Sequence, residues 1–417
     1  MVTDGNRPLD ASLRRELERE LHGLMAVWFP RCVDEEQGGF LCDFDRRWKP
    51  RGSQPKMLEY QARQTLAAAR AALHLPALSA LRRAAVHGFR YLKDTMWDPE
   101  HGGWYRLLDR SGHPLEKATK HGHASSYAIS ACAACYELTG DTECLELAQL
   151  AFRWLDERAH GDRHGGYFVF YDRGGAPILS PDPSASRDAI GTPIGFKDAN
   201  TTSDLLGGFS DLYRVWPDGL LRRRLEELLE ILRDRLVVAP GVMHMYAHPD
   251  WTPLPDFVRY GQVLRSANHL LASPADLPGR AATERVARSM VDAMLRVAWD
   301  SERGGFHLAG SSFGPAYLED VVVFVRGKCW WPQAEGMRAL LALARLHPAD
   351  QARYAAYFVR LWDYLKMCVI DARHGGWLAA GLDTNPAATR QPKATMWKDA
   401  SHETAALLDS LRLLESL

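Results

Sequence analysis

The stretch WDPEHGGWYRLLD, residues 97–109, decides the fold. A polar turn ends in two glycines, and the chain leaves them through aromatic and aliphatic residues. Gly-Gly tolerates the positive φ that most residues avoid. A strand-like run after such a turn predicts a short hairpin. The unit returns as DEEQGGFLCDFD (34–45), GDRHGGYFVFYD (161–172), PGVMHMYAHPDW (240–251), WDSERGGFHLAG (299–310) and DARHGGWLAAG (371–381). In GDRHGGYFVFYD, Phe168 and Phe170 alternate with Val169 and Tyr171. The glycines at 38, 102, 165, 241, 304 and 375 recur every 63 to 76 residues. Recurrence this regular marks a repeated supersecondary unit.

Between the turns the apolar residues recur at three and four, the period of a helix. Gln61 to Leu75, Ala124 to Thr139, Leu221 to Val237, Ala281 to Val297, Gly336 to Leu346 and Thr404 to Leu414 all read this way. Each interval has room for two helices and one hairpin, which predicts about twelve helices. Six such units close into a ring of inner helices inside a ring of outer ones. The expected fold is therefore all-α, an (α/α)6 barrel (toroid) with short β-hairpins between helices, in a single domain spanning 1–417. An open α-solenoid is the competing architecture, and it does not require six units.

The composition fits a globular chain of 417 residues, with 46% apolar and 25% charged residues. Lys plus Arg total 51 and Asp plus Glu 52, so no broad basic surface is available for nucleic acid or membrane. Arg222, Arg223 and Arg224 are flanked by Glu226 and Glu227 and read as a solvated helix face. No apolar run is long enough to span a bilayer, and MVTDGNRPLD at the start lacks the apolar core of a secretory leader. Seven irregularly spaced cysteines suggest no disulfide framework, which predicts a reducing, cytoplasmic location. Cys132 and Cys135 form a CxxC inside an apolar helical run and are expected in the core. No Gly-rich phosphate loop follows a strand, so a nucleotide substrate is not expected. The Pro/Ser-rich stretch Leu179 to Ile194 lengthens the third unit and reads as a loop, a candidate lid.

Each predicted inner helix opens near a cation: Lys56, Lys120, Lys197, Arg259, Lys328 and Lys393. Polar residues follow at the same point of each unit, among them Arg63, His121, His123, Asn200, Asp204, Gln262, Arg265, Trp331, Glu335, His402 and Glu403. In a closed barrel these point toward one cavity. Directional partners with a flat apolar face suit a polyol. Trp330 and Trp331, adjacent on a helix, face different ways, one toward core and one toward cavity. Trp331 and Glu335 share a face. His121, His123, His244 and His248 show no HxxxH or HExxH pairing, so no metal site is predicted.

The blocks KMLEYQARQ (56–64), KHGHASSYAISACAACYELTGD (120–141), KDANTTSDLLGGFSDLYRVWPD (197–218), KCWWPQAEGM (328–337), HGGW (374–377) and WKDASHE (397–403) resemble the N-acylglucosamine 2-epimerase family. That family includes cellobiose 2-epimerases and mannose isomerases, and its fold is the same barrel. The resemblance implies a cofactor-independent enzyme that moves the C2 proton of an open-chain sugar through an enediolate, using imidazole as acid and base. It implies His402 as the acid/base of the last inner helix. Arg63, Asn200, Trp331 and Glu335 match substrate-binding positions. Where the family has histidines, this chain has Asp204 and Gln262, both expected to contact substrate. For the second acid/base, His123 is then the nearest candidate by residue type and Asp204 the nearest by position.

One carrier can shuttle a proton between C2 and C1 on one face of an enediol. The departures therefore favour aldose–ketose isomerisation over epimerisation, with weak activity on N-acetylglucosamine, cellobiose and mannose. The rival functions are a carboxylate-based glycoside hydrolase or lyase using Asp204, Glu335 or Glu403, and a sugar-binding protein that has lost catalysis. The expected partner is a small sugar, with no cofactor, metal, nucleic acid or membrane, in a monomer or homodimer.

Overall fold

Among the described residues, twelve α-helices alternate between two concentric rings. They are α1 (Ala11–Trp28), α2 (Leu58–His74), α3 (Ser79–Tyr91), α4 (Gly122–Thr139), α5 (Thr142–Ala159), α6 (Ala199–Val215), α7 (Gly219–Glu230), α8 (Tyr260–Ala272), α9 (Arg280–Val297), α10 (Trp330–Leu346), α11 (Gln351–Cys368) and α12 (Ser401–Leu414). The computed structural model describes residues 8–161, 163–181, 186–254, 257–311 and 325–415. The even-numbered helices pack in sequence, and α12 returns to α2 to close the inner ring. Each odd helix from α3 to α11 backs the inner helix before it, while α1 backs α12. The N-terminal helix thus completes the C-terminal unit, and the solenoid reading is excluded.

The turns form as the glycines predict. In five units both glycines have positive φ, for example +66° and +70° at Gly102 and Gly103. The glycines also admit aromatic neighbours: a Cβ at Gly103 would stand 2.9 Å from the Trp154 ring. The strand pairing differs from a local hairpin. Each Gly-Gly turn is closed by one bridge, such as Trp97–Trp104 or Ile370–Trp377. The chain then pairs with the strand that precedes the inner helix of the previous unit. Leu107–Leu108 pairs with Lys56–Met57, Phe170–Tyr171 with Lys120–His121, Tyr246–Ala247 with Lys197–Asp198, and Ala309–Ser311 with Phe257–Arg259. Bridges Cys329–Ala380 and Phe44–Ala394 complete the circuit. The tight turn aims each strand at its neighbour, so six short ladders close the same ring as the helices.

The recurrent lysines belong to this scaffold. Lys56 Nζ reaches Asp34 Oδ2 at 2.8 Å and the carbonyls of Gly38 and Phe40. Lys328 and Lys393 repeat the arrangement on Asp300 with Gly304, and on Asp371 with Gly375. Lys120 does so on Asp98 and Gly102. Each aspartate also caps backbone N–H groups of its own turn, as Asp98 does for Glu100 and His101. Buried ammonium groups are tolerated because carbonyl and carboxylate oxygens satisfy them.

All seven cysteines are free, and Cys132 and Cys135 lie in the core. In the loop Leu179–Ile194, residues 182–185 lie outside the described residues, as do residues 1–7 of the leader reading. The described part of that loop is anchored inward by Asp188 on His121. Among the described residues, no helix is long and apolar enough to cross a membrane.

Candidate active site

The inner helices start in register, and this builds two polar layers on the barrel axis. The second residues of the six helices are Glu59, His123, Asn200, Gly261, Trp331 and His402. The sixth residues are Arg63, Tyr127, Asp204, Arg265, Glu335 and Ala406. Positions four apart share a helix face, so the second layer lies one turn below the first.

The lower layer is bonded across the axis. Arg63 donates to the Tyr127 hydroxyl at 2.8 Å, and Tyr127 donates to Asp204 Oδ2 at 2.7 Å. Arg265 spans the centre, donating to Asp204 Oδ1 at 2.6 Å, Glu335 Oε1 at 2.9 Å and Tyr127 at 2.8 Å. Arg338 and Asn268 hold Glu335 Oε2 at 3.0 and 2.8 Å. Burial alone would raise both carboxyl groups. For Asp204, Arg265 and the rings of His123 and His269 outweigh it and hold the group well below the usual carboxylate range. For Glu335, Arg338, Arg265 and His402 do the same.

The upper layer meets the lower one through two histidines. His402 Nδ1 lies 2.9 Å from Glu335 Oε1, which leaves Nε2 as the outward nitrogen. The Trp331 ring sits beside it, with centroids 5.9 Å apart. Gly261 makes room for that ring, since a Cβ there would stand 2.3 Å from Trp331 Cζ3. His123 Nε2 lies 3.1 Å from Asp204 Oδ2, and its Nδ1 is 3.6 Å from Glu59 Oε1.

The predicted residues are thus gathered unevenly. Arg63, His123, Asp204, Glu335 and His402 share one network, with Trp331 packed on it. Asn200 occupies the third place in the upper layer, half-buried. Gln262 is tied instead to Ser203 Oγ at 2.9 Å and Ser266 Oγ at 3.4 Å, outside the network. His123 is only 3% exposed, unlike an acid/base open to substrate. Glu403, next to His402 in sequence, turns to Lys398. A cavity of about 1070 Å³ lies toward the C-terminal ends of the inner helices, with Asp204, Arg265, Glu335 and His402 in its wall. Arg63 and Trp331 are not part of that wall.

Sequence reading missed Glu59, Tyr127, His269 and Arg338, and did not assign Arg265 to the site. Glu59 was findable, one turn before Arg63. Tyr127 was not, because α4 is buried round its circumference and its sequence marks no face.

The model of the family described as N-acylglucosamine 2-epimerase (GlcNAc 2-epimerase) matches residues 38–176 and 261–398. The chain belongs to this family. It is 25% identical to the cellobiose 2-epimerase of Bacteroides fragilis, over 97% of this chain and all of that one. It is 24% identical to the D-mannose isomerase of Marinomonas mediterranea, over 95% and 97%. The structure of cellobiose 2-epimerase from Spirochaeta thermophila superposes with a TM-score of 0.82 at 25% identity, covering 97% and 99% of the two chains.

Proposed function

We propose that this member of the epimerase family is a carbohydrate isomerase that moves a proton between C2 and C1 of an open-chain sugar, with His402 as the single carrier. The observation that carries this is the 2.9 Å contact of His402 Nδ1 with a Glu335 that Arg265 and Arg338 keep ionised. A fixed carboxylate behind one ring nitrogen orients the other and stabilises the imidazolium that forms when a C–H proton is taken. Trp331 packs beside that ring, and Arg265, which shares the cavity wall with His402, is the donor for a developing enediolate oxygen.

His123 lacks a face open to substrate, and His269, though it lines the cavity, stands at the tenth position of α8 with Nε2 3.2 Å from Asp204 Oδ1. His402 is therefore the one exposed imidazole of the upper layer, where inversion at C2 needs a group on each side. This supports isomerisation over epimerisation. The hydrolase reading needs a carboxyl that stays protonated near neutral pH. Asp204 and Glu335 are held ionised, and Glu403 is paired with Lys398, so the site disfavours it. The whole chain as one barrel domain, and a reducing cytoplasmic location for its unpaired thiols, complete the reading.

The test is incubation with free aldoses and ketoses in heavy water, followed by NMR. Deuterium at C1 or C2 with aldose–ketose interconversion supports the proposal. Brisk C2 epimerisation of cellobiose or N-acetylglucosamine would replace it, and no label in any sugar would sink it.

A further inference from the structure

Beside the network, four buried polar atoms have no hydrogen-bond partner: both carboxylate oxygens of Glu59 and the Nδ1 atoms of His121 and His123. They face one another. One ligating atom from each of the three residues lies within 4.8 Å of those of the other two. All three side chains are at most 3% exposed.

The opposite nitrogens of both rings are engaged. His121 Nε2 lies 3.2 Å from Asp188 Oδ2, and His123 Nε2 lies 3.1 Å from Asp204 Oδ2. A carboxylate behind each ring keeps the proton on Nε2 and turns the Nδ1 lone pair forward. Metal-bound histidines are oriented by this kind of partner. Two lone pairs and a carboxylate thus converge in a low-dielectric space, an arrangement that calls for positive charge between them.

We infer that Glu59, His121 and His123 form a binding site for one divalent transition-metal ion of the Zn2+ class. Two imidazoles and one carboxylate are a donor set that Zn2+ and its neighbours accept. The 3.6 Å between His123 Nδ1 and Glu59 Oε1 is close to the ~3.3 Å ligand–ligand edge of a tetrahedron with ~2.0 Å bonds. Two of the ligands are second-position residues of adjacent inner helices, so the ring itself sets their separation. The sequence suggested no metal because its histidines lack helical metal spacing; the third ligand comes from α2, a full unit earlier. Metal binding displaces any proton held at His123 Nδ1. The rival occupant is that proton alone, shared between His123 and Glu59.

The test uses the full-length protein, stripped with a chelator and titrated with Co2+ under absorbance. About one equivalent should bind with the visible bands of low-coordinate Co2+, and Zn2+ should displace it and raise the thermal midpoint. Glu59→Gln and His121→Gln should each weaken Co2+ binding at least 100-fold. Asp188→Asn serves as a milder variant, since it retains an oxygen for the turn amides and alters the atom behind His121. It should weaken binding about 10- to 100-fold. A wild-type protein that binds no Co2+ or Zn2+ at sub-millimolar concentration would overturn the site and leave the proton in its place. Wild-type affinity in folded Glu59→Gln and His121→Gln would overturn it as well.

Discussion

His402 and Arg265 do different work within 3 Å of the same carboxylate. His402 is 11% exposed at its side chain, and its ring has one protein partner and one open nitrogen. His402→Ala removes the proposed carrier without leaving a buried charge unpaired beyond what Arg265 and Arg338 already neutralise. Turnover should fall by about 10²- to 10⁴-fold with little change in thermal midpoint, measured on whichever sugar exchanges deuterium. Normal turnover would remove His402 from the mechanism. Arg265 is structural first. Arg265→Met strips the central cation from Asp204 and Glu335, and removing one partner of a buried ionic network costs about 3–5 kcal/mol. Denaturant unfolding should show that loss, and a loss below about 1 kcal/mol would mean that water replaces the guanidinium.

At the scale of the element, the unit is a Gly-Gly turn, a strand and an inner helix, held by a lysine that reads its own turn. Asp34, Asp98, Asp300 and Asp371 each give that lysine a carboxylate. The third unit departs, with Gly161 standing where the others have aspartate. Among the described residues, Lys197 there reaches the Gly165 carbonyl and no turn carboxylate. Burial pulls its pKa down to about 8, and Glu227 only partly offsets this. A Cβ on Gly161 would point at Lys197 Nζ, 2.8 Å away, the movable end of a flexible side chain. Gly161→Asp should therefore install the ion pair and raise the thermal midpoint by about 1 °C, for a gain of about 1 kcal/mol. A lowered midpoint would show that the third turn has no room for the motif its siblings share.

For the whole molecule, the seam decides closure. α1 leaves the first unit to back α12, and the last Gly-Gly turn reaches it through Trp377 Nε1, which donates to Glu20 Oε1 at 2.9 Å. Burial raises the Glu20 carboxyl to about 7, with the Trp377 bond opposing in part. Unfolded, the group titrates near 4.5, so between these values the native state binds more protons than the unfolded chain. The stability from the neutral acid is complete below about pH 4.5 and is lost as pH rises through 7. Glu20→Gln keeps an acceptor for Trp377 and removes the titration. The variant and wild type should melt together at pH 4, and the variant should melt higher at pH 8.5, by about 1 kcal/mol once partial exposure is allowed for. Equal pH profiles would place the charge of Glu20 in solvent.

The sequence left closure open between a barrel and a solenoid, but by itself it determined the number of units and the alternation of turn and helix. Those are local matters: glycine pairs adopt φ values closed to other residues, and apolar spacing marks helices whatever lies across the axis. His402, Glu335 and Arg63 were legible because each sits at a repeated offset from its turn. Pairing was left to the tertiary structure. Glu335 answers His402 from another helix, Arg265 takes the centre that no single segment announces, and Gln262 is drawn aside by Ser203 and Ser266. The strands likewise bind the neighbouring unit where the turn alone suggested a local hairpin. Which charges meet depends on distances across a closed ring with little water between them. There an unpaired ion costs several kcal/mol, so the ring's geometry selects the partners.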